Sequence, residues 1–218
     1  MSPPTGVLGN LDLQNIISNL AQLVTPITLL VLAISFVSGI IFIFKGIAML
    51  HHLGASQNQM SQPKGVAGPF IYLGIGAILL YMPAATNIFS NTILGTSISY
   101  LFPNDDVIDI EGGNGANTFT YSVNVTPSYD QNASSELMQY VNFGIDQEWS
   151  SLINTIVMYI QLVGFIAFVR GWFILSGSAN PGGAQQGAFS KGLTHIIGGI
   201  VAVNFVPFMQ IIGKIIFT

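Results

Sequence analysis

The chain has 218 residues, of which 50% are hydrophobic and only 6% are charged, with a net charge of −4. Soluble domains carry about 25% charged residues, so this composition excludes a solvated globular surface and indicates an integral membrane protein. The sequence has no cysteines, which excludes disulfides and Cys-ligated metals. It also has no basic stripe of the kind that binds nucleic acid directly.

The first domain, residues 1–89, is predicted to hold an interfacial helix and a transmembrane hairpin. Residues 1–9 have no basic region ahead of an apolar core, so no cleaved signal peptide is predicted. Apolar residues then recur at helical spacing over residues 13–24, as in an amphipathic helix. Residues 26–50 and 69–89 are apolar segments, each long enough to cross about 30 Å of hydrocarbon.

The second domain, residues 90–150, is the only sizeable polar region and holds eight of the nine acidic residues. Residues 107–110 form one candidate strand, and residues 119–125 alternate apolar and polar side chains as in a second strand. The Gly-Gly-Asn-Gly turn signal at 112–115 lies between them. The sequence therefore predicts a small extracytoplasmic β-hairpin. A second amphipathic helix is predicted over residues 137–149.

The third domain, residues 151–218, is predicted to hold a second transmembrane hairpin, with membrane helices over residues 152–175 and 193–217. Residues 39–46 and 164–171, which are 125 positions apart, share a glycine, a cation and a second glycine in one register. The amphipathic elements match at the same offset, whereas later spacings drift by two or three residues. We therefore predict an all-α polytopic membrane protein with four transmembrane helices in two repeated hairpins.

Cations are predicted to fix the orientation of these helices. Four of the five flank or lie in the two short loops, residues 51–68 and 176–192: Lys45, Lys64, Arg170 and Lys191. The positive-inside rule makes both loops cytoplasmic, and it puts the N-terminus, the middle loop and the C-terminus outside. Lys214 is the exception. The four loop cations are expected at the membrane interface, where they fix topology or bind anionic lipid headgroups.

Small and polar residues inside the apolar segments are the remaining site candidates. Glycines let helix backbones approach closely, and six are predicted to pack helices: Gly39, Gly46, Gly164, Gly171, Gly198 and Gly199. Gln161 and Asn204 lie near the centres of the third and fourth segments. Each amide needs a partner in hydrocarbon, so the two are predicted at a protein interface, bonded to each other, or in the lining of a conduit.

No catalytic, cofactor or metal residues are predicted. The acids of residues 105–111 could hold a divalent cation, but their spacing does not match the calcium-loop pattern and favours a solvated loop. His51, His52 and His195 have no acidic or cysteine neighbours that would indicate a metal site. The sequence contains no nucleophile with its base, no P-loop and no dinucleotide fingerprint.

Residues 164–175, with residues 191–204 downstream, resemble the IcmC/DotE family of the Dot/Icm type IVB secretion system. The family has relatives called DotV and IcmD (DotP), and TraQ-like and TraR-like proteins in conjugative plasmids. The resemblance covers about residues 164–207, and the matching part of the internal repeat, residues 39–83, agrees with it. It implies a non-enzymatic inner-membrane part of an export apparatus in a Gram-negative bacterium, with a DotA-like polytopic protein and small paralogues as neighbours.

Two functions follow from these patterns. The first is a structural subunit of a type IVB secretion or conjugation complex, for which a homo-oligomer, a mixed ring and a single peripheral copy are all compatible arrangements. The second is a small-solute transporter or channel built from an internal repeat, since transporters bind substrates at the midplane between broken helices. Only Gln161 and Asn204 offer polar groups there, so the sequence favours the first function.

Overall fold

The computed structural model describes residues 13–55, 67–95, 147–179 and 187–217. Every regular element in these ranges is helical, as the predicted all-α fold requires. The elements are α1 (Leu13–Ala55), α2 (Ala67–Leu80), α3 (Met82–Leu94), α4 (Gln147–Ser176), a short 3₁₀ turn (Gly177–Ala179), α5 (Ala188–Val203) and α6 (Phe205–Phe217).

Among the described residues, two helices are long and apolar enough to cross a membrane, namely α1 over Asn15–Gly54 and α4 with the following 3₁₀ turn over Ser150–Ala179. Each is followed by a pair of shorter helices, α2 with α3 and α5 with α6. The number of candidate spans rises to four if each bent pair crosses as one broken span. The four predicted membrane segments correspond to two long helices and two bent pairs.

The first helix is continuous through the predicted boundary at Pro26. The sequence predicts a separate amphipathic helix over residues 13–24, whereas α1 runs unbroken for 43 residues with Pro26 inside it. Proline has no N–H, so it removes one bond from the helix ladder, but the residues on both sides keep helical geometry. The predicted amphipathic segment and the first membrane segment are therefore parts of one continuous helix, and the interfacial position of residues 13–24 stays a prediction.

Both predicted second spans are broken near the middle. The axes of α2 and α3 differ by 99° and those of α5 and α6 by 84°. The break residues, Tyr81 and Asn204, have nearly the same backbone angles, φ −106° and ψ 41° against φ −104° and ψ 43°. Pro83 and Pro207 follow closely and cannot donate to the carbonyls one turn earlier, which favours a break at these points.

The two halves share one apolar core. Helix α1 packs along α2, and α4 packs along α5, so each half is a helical hairpin. Helix α4 also contacts α1 and α2, and this joins the hairpins. The central cluster lies among α2, α3, α4 and α5 and contains Ile75, Leu79, Met82, Phe165, Phe168, Val169, Trp172, Ile196, Ile200 and Val203.

Several predictions fall outside the described residues. These are the β-hairpin over residues 107–125, the acidic stretch of 105–111 and Lys64. The second amphipathic helix, residues 137–149, is described only from residue 147, where α4 begins. Those predictions stand as expectations from the sequence.

Candidate functional site

Glycines bring the two helices of the first hairpin into backbone contact. A Cβ atom built on Gly39 would lie 2.9 Å from the carbonyl oxygen of Gly76, and one built on Gly76 would lie 2.9 Å from that of Gly39. One built on Gly46 would lie 2.9 Å from the Leu73 side chain and 3.1 Å from the Pro69 carbonyl. Both positions on α1 therefore leave no room for a larger residue unless the helices separate.

Glycines bring the two helices of the second hairpin, α4 and α5, into backbone contact as well. A Cβ on Gly199 would lie 2.7 Å from the Gly164 carbonyl oxygen, and one on Gly164 would lie 2.7 Å from the Val203 backbone nitrogen. Nearer the loop, a Cβ on Gly171 would lie 2.9 Å from the carbonyl oxygen of Gly192. The contacting atoms are mostly backbone, which cannot rotate away as a side chain could.

Gly198 does not belong to this set. A Cβ there would meet no atom within 4 Å, and the residue is exposed, so Gly198 packs against no helix among the described residues and its role in packing stays a prediction. Gly198 and Gly199 are adjacent on a helix, so they point about 100° apart and only one can face α4. The sequence could not decide which of the two is buried.

The contacts follow the sequence repeat. Gly39 meets Gly76 in the first hairpin, and Gly164 meets Gly199 in the second, at offsets of 125 and 123 positions. The break at Tyr81 and the break at Asn204 are also 123 positions apart. Gly76 and Gly192 also lie at these backbone contacts, although neither is in the predicted packing set.

Lys45 joins α1 to α2 near the end of the hairpin. Its Nζ donates a hydrogen bond of 2.9 Å to the Tyr72 hydroxyl and lies 4.4 Å from the centre of the Tyr72 ring. The lysine is exposed, whereas Tyr72 is buried. Lys45 therefore has a structural partner within the hairpin in addition to its predicted interfacial position, and Tyr72 is a partner that sequence reasoning missed.

Apart from Lys214, the other described cations and the histidines lie on the outside of the same end. Arg170 and Lys191 are exposed, as are His51 and His52. His195 is half-buried, and its Nδ1 lies 2.8 Å from the Lys191 carbonyl oxygen. Within the described ranges no three His, Cys, Asp or Glu residues come together in a way that could hold a metal ion.

Aromatic rings connect the two hairpins. The Phe89 ring of α3 lies 5.6 Å from that of Phe168 and 5.4 Å from that of Trp172, both on α4, in edge-to-face arrangements. On the other side, Phe42 of α1 meets Phe173 of α4 at 5.7 Å. Such pairs contribute about 0.5–1.5 kcal/mol each beyond area burial. Helix α3, which follows the break at Tyr81, thus packs the first half of the chain against the second.

The second break is lined by buried polar groups. Asn204 Nδ2 donates 2.7 Å to Ser90 Oγ on α3 and 3.0 Å to the Ile200 carbonyl oxygen. Ser90 in turn donates to the Thr86 carbonyl oxygen at 2.8 Å. The predicted bond between Gln161 and Asn204 is therefore wrong, because the amide of Asn204 bonds Ser90 instead. Nothing in the sequence pairs a serine of the first half with an asparagine of the second.

Gln161 lies at the level of the same break. It is fully buried, and neither of its amide atoms has a hydrogen-bond partner among the described residues. One turn before it, Val157 packs on Val206; one turn after it, Gly164 meets Ala202. The amide therefore faces the junction of α5 and α6. Asn204 Oδ1 is likewise buried without a partner in the described part of the chain.

Comparisons with known proteins add no relative. No family model matches the chain, and no curated protein or solved structure matches it either. The fold and the contacts above define the class, which is an α-helical protein with two to four candidate membrane spans.

Proposed function

We propose that the protein is a non-enzymatic inner-membrane subunit of a type IVB secretion or conjugation complex. The resemblance of residues 164–207 to the IcmC/DotE family supports this proposal, and so does the predominance of packing contacts over polar chemistry. Its part in the machine would be assembly, in which rigid hairpins present apolar helix faces to neighbouring membrane proteins. The neighbours would be a DotA-like polytopic protein and small paralogues.

The observation that carries the proposal is the unequal burial of the two long helices. Only 17% of the most apolar stretch of α1 is buried within the chain, against 44% for the equivalent stretch of α4. Helix α4 lies against its own hairpin partner and against α1 and α2, whereas most of this stretch of α1 is left uncovered by the described residues. The low burial of α1 therefore favours a function in which this helix meets lipid and other membrane proteins.

The proposed orientation follows the positive-inside rule. The exposed cations Lys45, Arg170 and Lys191 mark the cytoplasmic end of both hairpins. The N-terminus of α1, residues 96–146 and the end of α6 would then face the periplasm. The short loops would meet cytoplasmic components of the machine. This orientation requires each bent pair to cross the bilayer as one broken span.

Affinity purification from the native membrane tests the proposal. A tag on the C-terminus, a mild detergent and mass spectrometry would identify what co-purifies. We expect a large polytopic secretion protein together with small membrane paralogues. A matched sample carrying Gly39→Leu, which must separate α1 from α2, should lose these neighbours. Recovery of the chain alone, as a homogeneous small oligomer, would contradict the proposal.

A small-solute transporter or channel is the second candidate, and the breaks at Tyr81 and Asn204 favour it more than the sequence did. Broken helices with polar groups at the midplane are the usual substrate site of secondary transporters. The buried amides of Gln161 and Asn204 lie at one such break. Replacing both amides by leucine distinguishes the two functions. A transporter should lose transport while it still assembles. A structural subunit should either keep its partners and its role or fail to assemble.

A further inference from the structure

A series of buried hydrogen bonds runs from α3 to the break between α5 and α6 and stops there. Ser90 of α3 donates to the Thr86 carbonyl oxygen at 2.8 Å and accepts from Asn204 Nδ2 at 2.7 Å. Asn204 is the break residue, so these bonds join the first half of the protein to the second. The series ends at Asn204 Oδ1, which has no partner among the described residues.

The orientation of the Asn204 amide identifies the unpaired atom as an oxygen. Nδ2 lies 3.0 Å from the Ile200 carbonyl oxygen, which can only accept a hydrogen bond. An amide turned by 180° would place two oxygens against each other at this point, so the hydrogen-bond partners fix the assignment. Asn204 therefore leaves a buried acceptor at the break.

Gln161 of α4 leaves its whole amide unpaired at the same level. The side chain is fully buried, and neither Oε1 nor Nε2 has a partner in the described part of the chain. The neighbouring turns of α4 lie on both sides of the break: a Cβ on Gly164 would lie 2.7 Å from the Val203 backbone nitrogen, and Val157 packs on Val206. Two amide oxygens and one amide NH₂ group are thus unpaired in one buried region.

The charges and ligands in this region do not suit an ion. Glu148 is the only acidic residue in the described ranges, and it lies 13 positions before Gln161, about 20 Å along α4. A hard cation takes six or more oxygen ligands, whereas Gln161 and Asn204 offer two unpaired oxygens. An anion would find a single donor group. The partner that these atoms require is therefore neutral.

Water has the hydrogen-bonding groups that the three atoms lack. It donates two hydrogen bonds and also accepts, which matches two amide oxygens and one NH₂ group. Buried water molecules typically make about three hydrogen bonds to polar groups that have no other partner. Within membranes, ordered water is one of the usual partners of polar groups at interrupted helices.

We propose that ordered water binds between Gln161 and Asn204 at the break of α5 and α6. Water donates to Asn204 Oδ1 and to Gln161 Oε1, and it accepts from Gln161 Nε2. The bound water continues the series of hydrogen bonds from Ser90 on α3 to Gln161 on α4. It therefore ties the break to both halves of the protein. The site needs only this chain, so its test does not depend on the secretion function.

The substitution Gln161→Met tests the site by the sign of its effect on stability. Methionine is an unbranched side chain of similar length without an amide. In a dry site, glutamine carries an unpaired buried amide, so methionine should raise the midpoint of thermal unfolding. In a hydrated site, methionine removes the bonds to water and should lower the midpoint by roughly 2–4 °C, the shift that corresponds to about one hydrogen bond.

The matched control is Leu162→Met at the adjacent position, which is 4% exposed and exchanges two apolar side chains of similar volume. We expect Gln161→Met to unfold below both the wild-type chain and this control, in the same detergent. A midpoint for Gln161→Met that equals or exceeds the wild-type value would overturn the proposal.

A second measurement detects the water itself. The purified chain is labelled on its glutamine side chains, and the Gln161 NH₂ signal is assigned by its loss in Gln161→Met. We expect a rotating-frame Overhauser effect between this NH₂ group and water, with the sign that distinguishes it from proton exchange, and a several-fold weaker effect in Asn204→Leu. Absence of the effect in the wild-type chain, or a direct contact between the two side-chain amides in its place, would overturn the proposal.

Discussion

The adjacent glycines of α5 offer a direct test of how the second hairpin is held together. A Cβ on Gly199 would lie 2.6 Å from the Phe168 backbone nitrogen, 2.7 Å from the Gly164 carbonyl oxygen and 2.8 Å from the Phe168 Cα. A Cβ on Gly198 would meet nothing within 4 Å. Alanine at position 199 is therefore expected to force α4 and α5 apart, whereas alanine at position 198 should be accommodated without a clash.

The size of the effect follows from two terms. Gly→Ala in a helix interior gains up to about 1 kcal/mol of propensity, and both variants receive this gain. Overpacking a close contact costs about 1–3 kcal/mol, and only Gly199→Ala pays this cost. The difference between the two variants isolates the contact. We expect Gly199→Ala to be less stable than Gly198→Ala by about 1–3 kcal/mol.

Thermal unfolding in a mild detergent, followed by circular dichroism or by intrinsic tryptophan fluorescence, measures this difference. For a chain of this size, a change of 1 kcal/mol moves the midpoint by about 2–4 °C. Gly198→Ala should unfold at or above the wild-type midpoint, and Gly199→Ala clearly below it. Equal midpoints for the two variants would refute the backbone contact between α4 and α5.

Three further substitutions test other contacts by the same unfolding assay. Gly76→Ala should be less stable to unfolding than Gly74→Ala by about 1–3 kcal/mol, because a Cβ at position 74 meets no atom within 4 Å. Equal stabilities would contradict the idea that the first hairpin repeats the glycine contact of the second. Ser90→Ala should cost about 0.5–1.5 kcal/mol by removing the acceptor of Asn204; an unchanged midpoint would mean that this bond is absent. Tyr72→Phe should cost at most about 1 kcal/mol, because the lysine of α1 that bonds the hydroxyl is exposed; a larger loss would contradict this reading.

Composition and hydropathy were sufficient to predict the helical class and the long apolar segments. The glycine and cation register at residues 39–46 and 164–171 also predicted that the two hairpins would be alike. Both signals arise from requirements on whole segments, namely apolar length for the bilayer and small residues where backbones meet. They do not depend on the detailed geometry of any one residue.

The bends in the second segments could not be predicted in the same way. Each bend depends on the ψ angle of a single residue, Tyr81 or Asn204, and hydropathy averages over that residue. The prolines at positions 83 and 207 indicate that a helix is interrupted, but they do not give the direction of the chain beyond the break. The bond from Asn204 to Ser90 follows from that direction, so it too was beyond sequence reasoning.

The continuity of α1 and the exposure of Gly198 show a second limit. A proline can begin a helix or lie inside one, and the sequence around Pro26 fits both positions. Two adjacent glycines both permit close packing, and only the rotation of α5 selects Gly199. In each case the local sequence is compatible with two arrangements, and tertiary contacts determine which one forms.

Deletion of the gene in its native strain, followed by measurement of effector or plasmid transfer to recipient cells, tests the proposed function most directly. Transfer should fall to background and be restored by the wild-type gene, and by a gene carrying Gln161→Leu and Asn204→Leu if that variant assembles. Transfer that is unchanged by the deletion, in cells where the protein is normally made, would contradict a subunit of the transfer machine.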